Sequence, residues 1–134
     1  MVLDYTFSMI KPDAVKRGLI SRILLDIESC GFEIQKLRKF KMSLDQAKNF
    51  YKSLSHLPFY GELCEYITSD YVVGMVLRKE NAVLDFRELI GATNPAEAKI
   101  GSIRRKYGIN KGSNSIHGSD SDENAKIEAN FFDL

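Results

Sequence analysis

The segment with the clearest chemical potential lies near the end of the chain, at NSIHGSD, residues 114–120. It places His117, one of two histidines in the chain, beside a glycine and a serine. A histidine ring can act as a nucleophile or a proton carrier near neutral pH, because its unperturbed pKa is about 6.5. Ser119 offers a hydroxyl and Asn114 an amide to orient the reacting partners, and Gly118 is expected to leave one side of the ring uncrowded. These types and spacings predict a reaction at a ring nitrogen of His117.

The composition is typical of one compact domain without a general affinity for polyanions. The chain has 134 residues, of which 44% are hydrophobic, and a domain of this size buries roughly two-thirds of the surface of its unfolded chain. We therefore interpret residues 1–134 as a single domain. Nineteen Lys and Arg against eighteen Asp and Glu give a formal net charge of +1, so no overall field would attract nucleic acid or an acidic membrane. Any anion site must be local.

No segment of the sequence reads as a membrane anchor or a leader. The longest apolar run, residues 71–77, is too short to span a bilayer, and the first four residues lack the basic and apolar regions of a signal peptide. Cys30 and Cys64 form neither a CxxC pair nor a metal-ligand cluster, so reduced, packed thiols are expected. We therefore expect a cytoplasmic protein.

The hydrophobic pattern predicts strands and helices that alternate along the chain. The alternation slips between Ile34 and Leu37, which indicates a β-bulge, and Ser43 with Gln46 forms a capping-box pattern. Strands are predicted over 3–9, 32–42, 71–78 and 115–117, helices over 19–30, 43–54, 58–67, 83–90 and from about 121, and a weakly periodic stretch over 92–113. This order is a split βαβ arrangement with a helical insertion between strands 2 and 3. It predicts an α+β, ferredoxin-like sandwich.

The segment NSIHGSD resembles the Asn-x-x-His-Gly/Ala-Ser-Asp motif of nucleoside diphosphate kinases. The resemblance extends to YTFSMIKPDAVKRGLI near the start, SLSHLPFYGEL in the middle, and FRELIGATNPAEAKIGSIRRKYG before the histidine. These passages cover most of residues 5–128, in the family's order and near its spacings. The resemblance implies a four-stranded antiparallel sheet with helices on one face.

The resemblance also implies catalytic roles for six residues. His117 would carry the phosphoryl group, and Glu128 would bind its ring and fix which nitrogen is free. Lys11 would contact the transferring phosphate, and the Tyr51 hydroxyl would lie near the nucleophile. Asn114 and Ser119 complete the catalytic set. Without the resemblance, Lys11 would be interpreted as a solvated charge and Tyr51 as a core residue.

The remaining positions implied by the resemblance would bind the nucleotide, together with Lys11 and Asn114. Phe59 would stack on the base, a contact that tolerates any base because every base has a π face. Arg87, Thr93 and Arg104 would hold the phosphates. For a single arginine or an aromatic after proline, surface solubility or core packing is the ordinary interpretation. Asp120, beside Ser121, is expected to cap the last helix without a catalytic role.

The activity that the resemblance implies is a two-step phosphoryl exchange between nucleoside tri- and diphosphates, including ATP, GTP, ADP, GDP and their deoxy forms. Mg²⁺ would be held mainly by the nucleotide phosphates, since no dedicated metal cage is visible in the sequence. A homo-oligomer is expected, and its size stays open.

Other phosphate-binding and catalytic interpretations find little support. The chain has neither a GxxxxGK[ST] loop nor a GxGxxG fingerprint, and proximity of Ser119 and His117 in sequence does not make a hydrolase triad. An inactive, nucleotide-binding relative on the same fold stays open, although every expected position is filled. A single-stranded nucleic-acid module would need an aromatic-rich central strand and a basic face, and neither is evident.

The chain departs from the family pattern at four positions. Leu57 stands where a basic residue is common, and Ile100 replaces a common proline of the long loop. Arg105 and Lys106 follow Arg104, where a small residue and an aspartate are common. We hypothesise that this basic pair strengthens the positive field at the mouth of the site; the alternative is a solvated surface pair.

Overall fold

Four antiparallel strands in the order β2-β3-β1-β4 form the framework of this computed structural model, which describes residues 4–134. The strands are β1 (Asp4–Ile10), β2 (Glu33–Phe40), β3 (Val72–Lys79) and β4 (Ile116–Gly118). Each occupies a segment where a strand is predicted, and the order is that of the predicted split βαβ sandwich. Leu3, the predicted start of the first strand, lies outside the described residues.

Seven helices accompany the sheet in the described part of the chain. They are α1 (Pro12–Lys16), α2 (Ile20–Ser29), α3 (Leu44–Phe50), α4 (Tyr60–Ile67), α5 (Ala82–Ile90), α6 (Ile103–Tyr107) and α7 (Asp122–Phe131). Helices α1 and α6 are absent from the sequence-based prediction, because five residues are too few to show helical periodicity. Helix α1 begins with Pro12, which is favoured in a first turn because its missing N–H would have no helical partner there.

Helices cover both faces of the sheet. The resemblance implied helices on one face, which describes α2 and α5: they pack on a cluster formed by Ile10, Ile23, Ile27, Val73, Met75, Leu77, Phe86, Ile90 and Ile116. Helices α3, α4 and α7 cover the opposite face, through Phe7, Met9, Ala47, Ile67, Val76, Ala129 and Phe132. Two layers are needed because β3 is apolar on both sides, and its first six residues are all buried.

Several local predictions are confirmed by backbone geometry. The pairing of β2 with β3 shifts register between Ile34 and Lys36, which is the predicted bulge. Ser43 and Gln46 form both hydrogen bonds of a capping box, at 3.1 and 3.0 Å. The cap of α7 differs: the Ser121 hydroxyl accepts from the Asn124 backbone N–H at 3.0 Å. Asp120 instead accepts from the Asn124 side chain, so the expectation that Asp120 is the cap is wrong.

The two thiols have different surroundings. Both are free, with Cys64 buried and Cys30 exposed, so only Cys64 fits the expectation of a packed thiol. Among residues 4–134, no helix combines the length and the apolar character required to cross a bilayer.

Candidate active site

His117 lies in the middle of the short edge strand β4, opposite Met9 of β1. Its ring projects toward the face covered by α3 and α7. The Phe50 ring approaches it edge-on with centroids 5.8 Å apart, and the Phe7 ring lies 6.0 Å away. The side chain keeps 25% of its surface exposed. The ring is therefore held by aromatic neighbours while one part stays open to a reactant.

One ring nitrogen of His117 is bound to a carboxylate. Nε2 lies 3.0 Å from Glu128 Oε1, and the same oxygen accepts a hydrogen bond from Ser119 Oγ at 2.6 Å. An ionised carboxylate only accepts, so Nε2 carries the proton and the lone pair of the neutral ring is on Nδ1. The Ser119 backbone N–H donates to the Phe7 carbonyl at 3.1 Å, which fixes Ser119 between β1 and α7. This arrangement makes Nδ1 the nitrogen that can react.

Gly118 has a different function from the one expected. Neighbouring residues of a strand face opposite sides of the sheet, so the side-chain position of Gly118 points toward α5. A Cβ there would lie 2.9 Å from Phe86 Cδ2 and 3.0 Å from Ile90 Cδ1. The prediction that Gly118 leaves the ring uncrowded is wrong. Its missing side chain lets α5 pack closely on β4.

Lys11 and Asn114 form a buried polar pair directly after β1 and before β4. Lys11 Nζ donates to Asn114 Oδ1 at 2.9 Å, and Asn114 Nδ2 donates to the Thr93 carbonyl at 3.0 Å. The Lys11 backbone N–H donates to the Ser115 carbonyl at 2.8 Å. Burial and, to a smaller extent, the charge of Arg104 lower the pKa of Lys11 to about 8, and the charge of Asp13 partly opposes this shift. Lys11 is therefore still mostly an ammonium at neutral pH.

Arg104 on α6 is the second buried cation of the site. Its Nε and Nη2 donate to the Ile116 carbonyl at 3.2 and 2.9 Å, and Nη1 donates to the Gly91 carbonyl at 3.0 Å. Burial, followed by the Arg87 charge, lowers the pKa of Arg104 to about 10. Its hydrogen bonds within residues 4–134 go to neutral carbonyls, which leave its charge uncompensated. A buried cation of this kind favours an anionic ligand.

Tyr51 and Phe59 lie on the helical insertion. Tyr51 ends α3, and its ring lies 5.0 Å from that of Phe50. Burial raises the pKa of the Tyr51 hydroxyl, and nearby Cys64 and Glu128 raise it further; the hydroxyl therefore stays a donor. Phe59, which is 48% exposed, lines a cavity of about 570 Å³ together with Lys11, Glu62, Leu63, Tyr66, Thr93, Lys111, Gly112 and Ser113.

The structure thus arranges the predicted residues in two neighbouring groups. His117 and Ser119 are both hydrogen-bonded to Glu128, and the Tyr51 ring packs on Phe50, which also contacts the His117 ring. Lys11, Asn114 and Thr93 form the second group, with Arg104 bound to the adjacent Ile116. The register of β1 and β4, which pairs Ile10 with Ile116, joins the groups. Arg87 lies on the exposed side of α5, and its charge contributes to lowering the pKa of Arg104.

Sequence reasoning missed four residues that lie beneath the Lys11–Asn114 pair, namely Asp13, Arg17, Tyr66 and Ser115. The only signal in the sequence is that Lys11, Pro12 and Asp13 directly follow the first strand. Ser115 has a φ of 77°, a left-handed conformation that nothing in its residue type predicts.

The basic pair after Arg104 is engaged elsewhere. Lys106 Nζ lies 2.6 Å from Asp26 Oδ2 on α2. Arg105 Nη1 donates to the carbonyls of Ala96 and Ala98 at 3.1 and 3.4 Å. These contacts favour a role in fastening the 91–102 loop and α6 over a field at the mouth of the site.

A histidine bound by a carboxylate, on a strand pair that also holds two buried cations, suits a phosphotransferase that works through a phosphohistidine. Comparison with known proteins agrees. The family model described as nucleoside diphosphate kinase matches residues 4–133, and the chain belongs to that family.

Individual relatives resemble this chain over nearly its whole length. The nucleoside diphosphate kinase of Methylobacterium nodulans is 52% identical over 134 residues, 99% of this chain and 96% of the relative. The crystal structure of the Aquifex aeolicus enzyme has a TM-score of 0.94 at 38% identity, covering 98% of this chain and 95% of that one. A halophilic enzyme from Halobacterium salinarum, solved in complex with CDP, has a TM-score of 0.92 at 35% identity, with 96% and 86% covered.

These findings confirm the predicted family, fold and activity. The protein is a nucleoside diphosphate kinase, a phosphotransferase that moves the terminal phosphoryl group of a nucleoside triphosphate to a nucleoside diphosphate by ping-pong exchange through a phosphohistidine.

Proposed function

We propose that His117 is the residue that carries the phosphoryl group and that Nδ1 is the attacking atom. The observation that carries this proposal is the 3.0 Å contact of Nε2 with Glu128, which leaves the Nδ1 lone pair free. In the first half-reaction, Nδ1 attacks the terminal phosphorus, and the bond to the bridging oxygen breaks as the nucleoside diphosphate leaves. In the second, a terminal oxygen of another diphosphate attacks the same phosphorus, and the N–P bond breaks.

The charge that develops on the transferring group is met by fixed cations. Lys11 and Arg104 are both 9% exposed, and buried charges act more strongly than solvated ones because little water screens them. Asn114 orients the Lys11 ammonium, while Thr93 and Arg87 contact the departing phosphates. As Nδ1 bonds to phosphorus the ring becomes positive, and the hydrogen bond to Glu128 stabilises that charge. Ser119 holds Glu128 in place, and the Tyr51 hydroxyl donates toward the same region.

Base selection in this proposal depends on stacking against Phe59. The exposed ring stands at the cavity that also contains Lys11, so a base stacked there has its phosphates directed inward. Stacking distinguishes bases weakly. ATP, GTP, ADP, GDP and their deoxy forms are therefore the expected substrates.

Mg²⁺ is proposed to enter with the nucleotide. Lys11, Arg104 and Asn114 are donors suited to phosphate oxygens, and Mg²⁺ is commonly held by substrate phosphates with few protein ligands. Within residues 4–134, no group of three or more His, Cys, Asp or Glu side chains is arranged around a common metal position. When bound, the ion would neutralise part of the phosphate charge.

The remaining proposals concern the whole protein. A single domain carries the complete site, because both groups of residues lie on one sheet and its covering helices.

A homo-oligomer is supported by the apolar residues exposed on α2 and on the outer strand β2, where Leu25 and Leu37 are 65% and 46% exposed, and light scattering would measure its size. A cytoplasmic location is supported by the free thiols.

The experiment that tests this function is incubation with γ-labelled ATP without an acceptor. The protein should acquire a label that is acid-labile and alkali-stable, as a phosphohistidine is, and should release it to added GDP. His117→Gln should remove the label, whereas His56→Gln, on an exposed position, should keep it. An unlabelled wild-type protein that still binds nucleotide would favour the inactive-relative alternative.

A further inference from the structure

A hub of hydrogen bonds beneath the Lys11–Asn114 pair contains residues to which no part in the reaction has been assigned. Its centre is the carboxylate of Asp13, whose side chain is 6% exposed. Oδ2 accepts hydrogen bonds from Ser115 Oγ at 2.9 Å and from Arg17 Nη2 at 3.0 Å. Oδ1 accepts one from the Tyr66 hydroxyl. One carboxylate therefore links three parts of the chain: helix α1, helix α4, and the segment that precedes β4.

The hub binds the residue that follows Asn114, which has an unusual backbone conformation. Ser115 has a φ of 77°, in a left-handed region that is unfavourable for a residue with a side chain and persists only where surrounding contacts impose it. Its hydroxyl is held by Asp13, and its carbonyl accepts the Lys11 backbone N–H at 2.8 Å. Lys11 Nζ in turn donates to Asn114. Both ends of Lys11 are thus attached to the segment that Asp13 fixes.

Arg17 and Tyr66 connect the hub to two further parts of the site. Arg17 Nη2 donates to Ser115 Oγ at 3.1 Å and also to the Tyr107 carbonyl, at the end of the helix that carries Arg104. Tyr66 lines the cavity next to Lys11 and Phe59. Burial raises the pKa of Tyr66, and its hydrogen bond to Asp13 raises it further. The hydroxyl therefore remains a donor to the carboxylate across the working pH range.

We propose that Asp13 is a positioning residue for phosphoryl transfer: acting through Ser115, Arg17 and Tyr66, it holds the Lys11 ammonium and the Asn114 amide where the transferring phosphate binds, without contacting the nucleotide. This inference rests on the role proposed for Lys11. A shift of about 1 Å in a positioned group can reduce a rate by about 100-fold, so a carboxylate that fixes the segment has a large effect although it lies outside the cavity.

The test compares Asp13→Asn with Asp85→Asn. Asp85 pairs with Lys79, at the opposite end of the sheet from Lys11, and supplies the same chemical change away from the site. Folded concentration is measured by circular dichroism, and kcat/KM is expressed per folded molecule. Asp13→Asn should lower kcat/KM by about 10- to 100-fold, whereas Asp85→Asn should leave it unchanged.

The pH profile separates positioning from a loss of folding. Asp13 opposes the lowering of the Lys11 pKa, whereas Arg104 contributes to it. Glu62 and Lys111, which face the same cavity, keep their charges in Asp13→Asn, and Tyr66 is neutral with either partner. Removing the Asp13 charge lowers the Lys11 pKa further, so the alkaline limit of kcat/KM should move to lower pH. Ser115→Ala and Tyr66→Phe keep that charge. They should lower kcat/KM and leave the alkaline limit in place.

Each outcome decides the proposal. The proposal is overturned if kcat/KM of Asp13→Asn equals that of Asp85→Asn. It is also overturned if kcat/KM of Asp13→Asn falls but the alkaline limit of its pH profile does not move. If Asp13→Asn does not fold, Ser115→Ala and Tyr66→Phe decide, and values within about twofold of wild type overturn it. Lys11→Ala is measured in parallel: a fully active Lys11→Ala refutes the role of Lys11 itself, whereas an impaired Lys11→Ala with a normal Asp13→Asn refutes only the positioning role.

Discussion

Replacement of Glu128 by glutamine tests how the histidine ring is activated. Oε1 of Glu128 accepts from His117 Nε2 at 3.0 Å and from Ser119 Oγ at 2.6 Å. Glutamine has nearly the same shape but carries no charge. It therefore cannot stabilise the positive ring that forms when Nδ1 bonds to phosphorus. The substitution removes one electrostatic interaction and little packing.

The size of the effect follows from burial. A hydrogen bond to a charged group contributes about 1.5–3 kcal/mol. The His117 and Glu128 side chains are 25% and 19% exposed, so solvent weakens their interaction. We expect the lower part of that range, about 1.5–2 kcal/mol, which corresponds to a rate reduction of about 10- to 30-fold.

The assay is single-turnover formation of the phosphoenzyme from ATP, measured by rapid quench. The rate constant at saturating ATP should fall, and the ATP concentration for half-saturation should change little, because Glu128 is not proposed to contact the nucleotide. Glu123→Gln, an exposed position in the first turn of α7, is the matched control. A Glu128→Gln rate constant equal to that of Glu123→Gln would refute the orienting role of Glu128.

Four further predictions concern the pH dependence of activity, the pH dependence of stability, base stacking and packing. Wild-type kcat/KM should decline above about pH 8, where Lys11 loses its proton, and a profile that stays flat through this range contradicts the assignment. The pKa of Lys11 is lowered from 10.5 to about 8, so the unfolded chain binds more protons than the folded chain between these pH values. The free energy of unfolding should therefore increase through Lys11 as pH rises from about 8 to 10.5. Lys11→Met should abolish that increase in urea titrations. Phe59→Ala should raise KM for ATP and GTP alike by roughly 5- to 150-fold, the equivalent of about 1–3 kcal/mol of stacking, and a loss confined to one base would contradict non-selective stacking. Gly118→Ala should lower the free energy of unfolding by about 1–3 kcal/mol, because its Cβ would lie 2.9 Å from Phe86; an unchanged urea midpoint would show that the contact relaxes freely.

Much of the fold is predictable from the sequence, because apolar periodicity and caps are local properties. The β2 bulge and the Ser43–Gln46 capping box were both expected from neighbouring residues. Helices α1 and α6 were not, since a five-residue helix has too few turns to show a period. Their positions are set by contacts distant in sequence, such as that of Lys106 with Asp26.

The candidate site shows the same difference between what local sequence predicts and what depends on distant contacts. The resemblance named the candidate residues; the structure places Lys11, Phe59 and Thr93 at one cavity and binds His117 and Ser119 to Glu128. It did not identify what holds them: the Asp13 hub depends on a left-handed Ser115, and the close approach of α5 to Gly118 depends on strand alternation. Both involve residues about 30 to 100 positions apart, which local patterns do not report.

The atom of His117 that carries the phosphoryl group can be identified by ³¹P–¹H NMR of the phosphoenzyme after denaturation in alkali. The two phosphohistidine isomers differ in phosphorus shift and in coupling to the ring protons, so the spectrum identifies the substituted nitrogen. Peptide mapping in alkali places the label on one residue. We expect a single isomer substituted at Nδ1, in the peptide that contains His117, and none in His117→Gln. Phosphate on Nε2, or on any other residue, would contradict it.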